Sequence, residues 1–79
     1  MYYFMDKYYN INSYIGFNLG DIVSFRYGLN DTKVGTIIKF YEDIDMTVVA
    51  VVKIAQGVEI SWSVHAIYKA NEAERLLYA

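Results

Sequence analysis

The stretch "MTVVAVVKIAQGVEISWS", residues 46–63, decides the fold. Its first half is crowded with β-branched residues, which favour extended backbone over helix. Alternation puts Met46, Val48, Ala50, Val52 and Ile54 on one side. "AQG" (55–57) then makes a tight turn, its glycine free to take a positive φ. "VEISWS" alternates again and points Val58, Ile60 and Trp62 inward. Two alternating runs around a short glycine turn predict a β-hairpin.

The same pattern continues toward the N-terminus. "GDIVSFRYG" (20–28) is bounded by glycines, with Val23, Phe25 and Tyr27 facing one way and Ser24 and Arg26 the other. "LNDT" (29–32) reads as a loop, because Asn and Asp tolerate turn geometry. "KVGTIIKFYE" (33–42) places Val34, Thr36, Ile38 and Phe40 on one face, and Gly35 inside it predicts a bulge or sharp bend. "EDID" (42–45) is a polar break. Toward the C-terminus, "VHAIYKA" (64–70) has room for one helical turn and a last short strand. "NEAERLLY" (71–78) reads as a helix. Asn71 can cap it and Glu74 sits where a capping-box partner belongs. Leu76, Leu77 and Tyr78 are expected to dock that helix.

Short antiparallel strands in about fifty residues can close as a small, strongly bent barrel, which removes exposed sheet edges. The layout "GDIVSFRYG…VGTIIKFYE…MTVVAVVKI…VEISWSVHAIYKA" resembles the SH3-like barrel of KOW- and Tudor-type modules. There, a Gly-Asp opens strand one, a Gly-x-Ile/Val segment forms strand two, and a late W-x-x-x-x-I leads through a short turn into the last strand. The resemblance spans about residues 20–70. The expected architecture is mostly β: one domain over 1–79, with an aromatic N-terminal extension (1–19), a small SH3-like antiparallel barrel (20–70) and a short C-terminal helix (71–79).

Composition bounds the chemistry. The 79 residues contain no cysteine and one histidine, so disulfides and thiolate zinc sites are excluded and a structural zinc site is not expected. Hydrophobic content of 56% argues against disorder. A formal net charge of −2 gives no overall pull toward nucleic acid or anionic lipid. No apolar run approaches the roughly 18 residues of a membrane span, and the N-terminus lacks the features of a signal peptide. A cytoplasmic protein with no membrane partner is expected. Abundant Tyr, Asn, Ile and Lys with no proline points to an AT-rich source such as a phage.

His65 is the only conventional proton-transfer side chain titrating near neutrality. Ser61 and Ser63 are near it in sequence, but no nucleophile motif surrounds them, so no catalytic residue, enzyme activity or cofactor is expected. Glu42, Asp43 and Asp45 form an acidic tip without the glycine and distal glutamate of a calcium loop, so no metal site is expected. Phe25, Tyr27, Tyr41 and Trp62 could build an aromatic cage for a methylated cation, as in Tudor-type modules, although alternation makes Phe25 and Trp62 core residues. The resemblance to KOW-type modules implies nucleic-acid association through Arg26, Lys39 and Lys53. Against it, the chain's seven bases are scattered among nine acids, with Arg26 and Lys53 expected near one end of the sheet and Lys39 near the other.

The outward positions carry the most information. Ile37, Tyr41, Val49 and Val51 fall where a solvated sheet face should be polar, and contiguous exposed apolar area usually marks a contact. "MYYFMDKYYNINSYIGF" (1–17) holds seven aromatic rings, of a kind that concentrates at interfaces. These rings can cover the barrel's own exterior, or arm and exterior can together meet a second copy or another protein. The sequence therefore predicts a non-catalytic protein-interaction module, with a host protein as partner if the source is a phage, and a homodimer as a further possibility. The expected contact residues are Tyr2, Tyr3, Phe4, Tyr8, Tyr9, Ile37, Tyr41, Val49 and Val51. The alternative is a nucleic-acid-associated KOW-like module.

Overall fold

The computed structural model describes residues 13–42 and 47–78. The chain is mostly β. A hairpin of β1 (Ser13–Tyr14) and β2 (Phe17–Asn18) precedes β3 (Ile22–Arg26), β4 (Thr32–Glu42), β5 (Val48–Ile54), β6 (Glu59–Ser63) and β7 (Tyr68–Lys69). Helix α1 (Glu72–Tyr78) is the last described element. Strands β3 to β7 form one antiparallel sheet in the order β6-β5-β4-β3-β7.

The sheet is strongly rolled. Phe25 on β3 and Trp62 on β6 are separated by two strands, yet their ring centroids are 4.9 Å apart. Inside the roll lie Val23, Phe25, Ile37, Phe40, Ala50 and Val52, all but excluded from water, with Val64 and Ile67 at one end. Among the described residues no ladder joins β6 to β7, so the roll is not a closed barrel.

Strand β4 departs from strict alternation, and the departure corrects two expectations. Ile37 stands opposite Val52, but Lys39 stands opposite Val51, so Ile38 is an extra residue in the ladder. Such a bulge bends its strand and raises its twist, as an eleven-residue strand in a tight roll requires. It also switches the parity. Ile37 before it and Phe40 after it both point inward, at 1% and 0% exposure, while Ile38 is exposed. Ile37, expected on the outside, is therefore core. Gly35 is not the bulge. It permits close approach of two backbones, since a Cβ there would lie 2.6 Å from the Lys53 carbonyl oxygen and 2.7 Å from Val52 Cγ1.

The connections follow their local chemistry. Between β5 and β6 a 3-10 turn spans Ala55–Gly57, where Gln56 and Gly57 have φ of 73° and 80°. A second 3-10 turn, Val64–Ala66, buries Val64 and leads through Ile67 to β7, which pairs Lys69 with Val23 and Tyr68 with Ser24. Before α1, the Asn71 N–H donates to Glu74 Oε1 (2.9 Å) and the Glu74 N–H donates to Asn71 Oδ1 (2.8 Å). This is the expected capping box, which satisfies two otherwise unpaired donors. Leu76 does not dock the helix, being 72% exposed.

The end of the aromatic arm folds back. Ile15 and Gly16 have φ of 42° and 91°, the positive pair of a type I′ hairpin turn. Tyr14 and Phe17 stand opposite each other, so they point the same way, and both pack against the core cluster. The Tyr14 ring lies 6.5 Å from that of Phe40. Asp21 then ties this segment down. Its Oδ2 accepts from the Asn18 N–H (2.9 Å) and from Lys69 Nζ (2.8 Å), while Lys69 also sits 5.4 Å from the Phe17 ring centre.

Candidate interaction surface

Pairing parity defines the outer face of the sheet. Opposed residues point to the same side. Val49 stands between Tyr41 on β4 and Ser63 on β6, and Val51 between Lys39 and Ser61. Lys53 stands between Thr36 and Glu59. The neighbours Val48, Ala50 and Val52 point inward into the core cluster, whereas Val49 and Val51 do not belong to it. Even so, Val49 is 8% and Val51 9% exposed. A strand buried on both sides reads as a continuous apolar run, which is the composition of "VVAVV" (48–52).

Of the expected contact residues, the structure brings Tyr41, Val49 and Val51 together on this face. Tyr41 is half-buried. Ile37 is on the opposite side, in the core. Tyr2, Tyr3, Phe4, Tyr8 and Tyr9 lie outside the described residues.

The cage constellation is divided between the two faces. Trp62 packs 4.9 Å from Phe25 and 5.5 Å from Tyr27, and Phe25 is 6.3 Å from Tyr27. Tyr41 points the other way. Rings tilted or edge-on at these spacings fill one another's contact distance, and Trp62 packs on the cluster that holds Phe25, so the pair is core packing. Lys33 Nζ already stands 5.8 Å from the Tyr27 ring centre and 3.1 Å from Asp31.

The cations are dispersed, though in a different arrangement from the expected one. Arg26 Nη2 donates to the Leu29 carbonyl (3.1 Å) at the β3–β4 turn. Lys69 is held by Asp21. Lys39, beside Val51, is a neighbour of Lys53 rather than at the far end from it, because the bulge shortens the register between them. Glu59 faces Lys53 across the ladder.

His65 is exposed, and its backbone N–H donates to Ser63 Oγ (3.2 Å). Among the described residues no group of three His, Asp or Glu side chains could hold a metal ion. Glu42 is half-buried opposite Val48, while Asp43 and Asp45 lie outside the described residues. The Asp21 carboxyl is held below the usual carboxylate range by the hydrogen bond from Lys69 and then by that from the Asn18 N–H.

Sequence reasoning passed over several exposed apolar groups. Leu29 at the β3–β4 turn is 86% exposed, Tyr68 on β7 63% and Ile15 54%. Tyr68 borders a groove of about 470 Å³ between β3 and α1, with Arg26 and Glu74 on its walls. The signal for Ile15 was available, since a residue just before Gly16 between two aromatics fits a hairpin tip. Tyr68, in a two-residue strand, left no periodicity to read. No family model, no characterised protein and no solved structure matches the chain.

Proposed function

We propose that the protein is a non-catalytic interaction module that binds another protein through its aromatic N-terminal segment and the outer face of β4 and β5. The observation that carries this reading is the sheet's apolar character on both sides, with Val49 and Val51 at 8% and 9% exposure outside the core cluster. A small rolled sheet needs only one apolar face to fold. A second one, flanked by a phenol, is the composition of contact surfaces, where aromatic rings supply area at low entropic cost. The contact residues assigned are the half-buried Tyr41 with Tyr2, Tyr3, Phe4, Tyr8 and Tyr9, backed by the nearly hidden Val49 and Val51.

The finer description of the fold is an SH3-like barrel. The strand order β6-β5-β4-β3-β7 and the short turn between Trp62 and β7 support it. The composition supports a phage source and hence a host protein as target. We place the protein in the cytoplasm; among the described residues no helix is long and apolar enough to cross a membrane.

The test is capture from an extract of the source or its host, with partners identified by mass spectrometry. The reading expects a protein held by the full chain and lost from Tyr41→Asp and from a chain lacking residues 1–12. A partner retained equally by both variants contradicts it. The adjacent Lys39 and Lys53 favour the second reading, a nucleic-acid-associated module. Salt-sensitive retention on DNA, lost on replacing both lysines by glutamine, would select that reading instead.

A further inference from the structure

We infer that the free edge of β6 is a self-pairing edge, through which two copies of the chain join by antiparallel pairing of their Glu59–Ser63 strands about a two-fold axis at Ser61. This does not rest on the outer-face reading above.

Strand β6 ends the sheet, and among the described residues nothing pairs with its far side. Which backbone groups face that side follows from the hairpin. The Ile54 N–H donates to the Val58 carbonyl (2.8 Å), making Ile54 and Val58 a hydrogen-bonded pair. Hydrogen-bonded and non-bonded pairs alternate along an antiparallel ladder. Ile60 with Val52 and Trp62 with Ala50 are therefore bonded within the sheet. The N–H and C=O groups of Glu59, Ser61 and Ser63 then aim outward, away from β5.

Sheet edges are normally guarded against pairing by lysine, proline, a bulge or extreme shortness. β6 has none of these. It contains no lysine or proline, runs five residues and pairs with β5 in unbroken register. Its single charge, Glu59, stands opposite Lys53 of the same sheet.

The partner this edge fits is its own copy. Centring the axis on Ser61 is the register that pairs all five residues. It places Ser61 opposite Ser61, Glu59 opposite Ser63, and Ile60 opposite Trp62 of the second copy. The two glutamates fall at opposite ends, so no like charges meet. Ile60 and Trp62, both half-buried, form a β-branched–aromatic cross-strand pair, a favourable combination. A register centred on Glu59 would oppose two carboxylates and overlap fewer residues. Two-fold self-pairing of this kind closes on itself and makes a dimer, not a fibre.

The test is sedimentation equilibrium of the full chain up to about 1 mM, a range that detects even weak association. Expected is a mass rising with concentration toward twice that of the monomer. Ser61 is exposed, so changing it leaves the core untouched. Ser61→Lys sets two ammonium groups face to face across the axis and is expected to stay monomeric with an unchanged thermal midpoint in dilute solution. Because the chain has no cysteine, Ser61→Cys adds a unique thiol, expected to cross-link under mild oxidation several-fold faster than Ser13→Cys. A wild type that stays monomeric throughout, a Ser61→Lys variant that associates like wild type, or equal cross-linking of the two cysteine variants would overturn the proposal.

Discussion

The two faces of β5 are made of nearly the same residues and do different things. Inward, Val48, Ala50 and Val52 join the rings of Phe25 and Phe40 in one cluster with Val64 and Ile67. Outward, Val49 and Val51 are almost as hidden from water, yet lie outside that cluster beside Tyr41 and two serines. Burial alone therefore does not identify a core. On the inner face the side chains belong to one cluster drawn from β3, β4 and β5 and the segment that follows β6. The outer face is a separate apolar layer whose loss should leave the roll intact.

The sharpest way to break this comparison uses two adjacent rings on β4. Phe40→Ala removes a ring at 0% exposure and should cost about 3–5 kcal/mol. A domain this small has roughly 5 kcal/mol in total, so the variant should keep no more than about 2 kcal/mol and melt far below the wild type by circular dichroism. Tyr41→Ala, one residue away on the outer face, should cost about 1 kcal/mol and leave a cooperative melt. Equal losses would mean that the two faces form one core.

Gly35→Ala comes next. Its Cβ would meet the Lys53 carbonyl oxygen and Val52 on the inner side, so it should lower stability by about 1–3 kcal/mol in urea titration. A neutral result would show that β4 and β5 can move apart there. A gentler probe exchanges valine for its near-isostere. Val52→Thr buries a hydroxyl in an apolar cluster and should cost about 1–3 kcal/mol, whereas Val51→Thr should cost less, since lysine and serine neighbours stand beside it.

The smallest effect is a pH dependence at the arm's anchor. Hydrogen bonds from Lys69 and the Asn18 N–H hold the Asp21 pKa below its unfolded value. Its contribution is therefore fully present above the unfolded pKa of about 3.9 and is lost as pH falls through the lower folded value. Both partners are solvent-exposed in part, so the effect should stay below about 1 kcal/mol and shrink with salt. Asp21→Asn should flatten the dependence of the melting temperature on pH below about 4.

Much of this architecture could be read from residues 20–78, because local chemistry and tertiary structure agree there. Alternation in β3, the inward Ile60 and Trp62 of β6, the Gly57 turn and the Asn71–Glu74 capping box all appear where their patterns put them, whereas Val58, expected inward, precedes β6 and is 48% exposed. Strand β4 misled for a physical reason. An extra residue at Ile38 reverses the parity of everything before it, and a bulge without glycine has no sequence mark, so Ile37 was assigned to the wrong face. Gly35 signalled backbone crowding, which sequence cannot distinguish from a bend. Leu76 looked like a docking residue because hydrophobicity does not say which side of a seven-residue helix meets the sheet. In the candidate surface, Tyr41, Val49 and Val51 were legible because apolar residues at polar positions violate alternation. Tyr68 and Leu29 break no pattern.

The most direct test is methyl NMR of the full chain with a dissolved paramagnetic agent. The two-layer account predicts that the Val49 and Val51 methyls are nearly as protected as those of Val52, yet show no nuclear Overhauser contacts to Phe25, Val64 or Ile67. Methyls bleached by the agent, or in contact with those core residues, would contradict it.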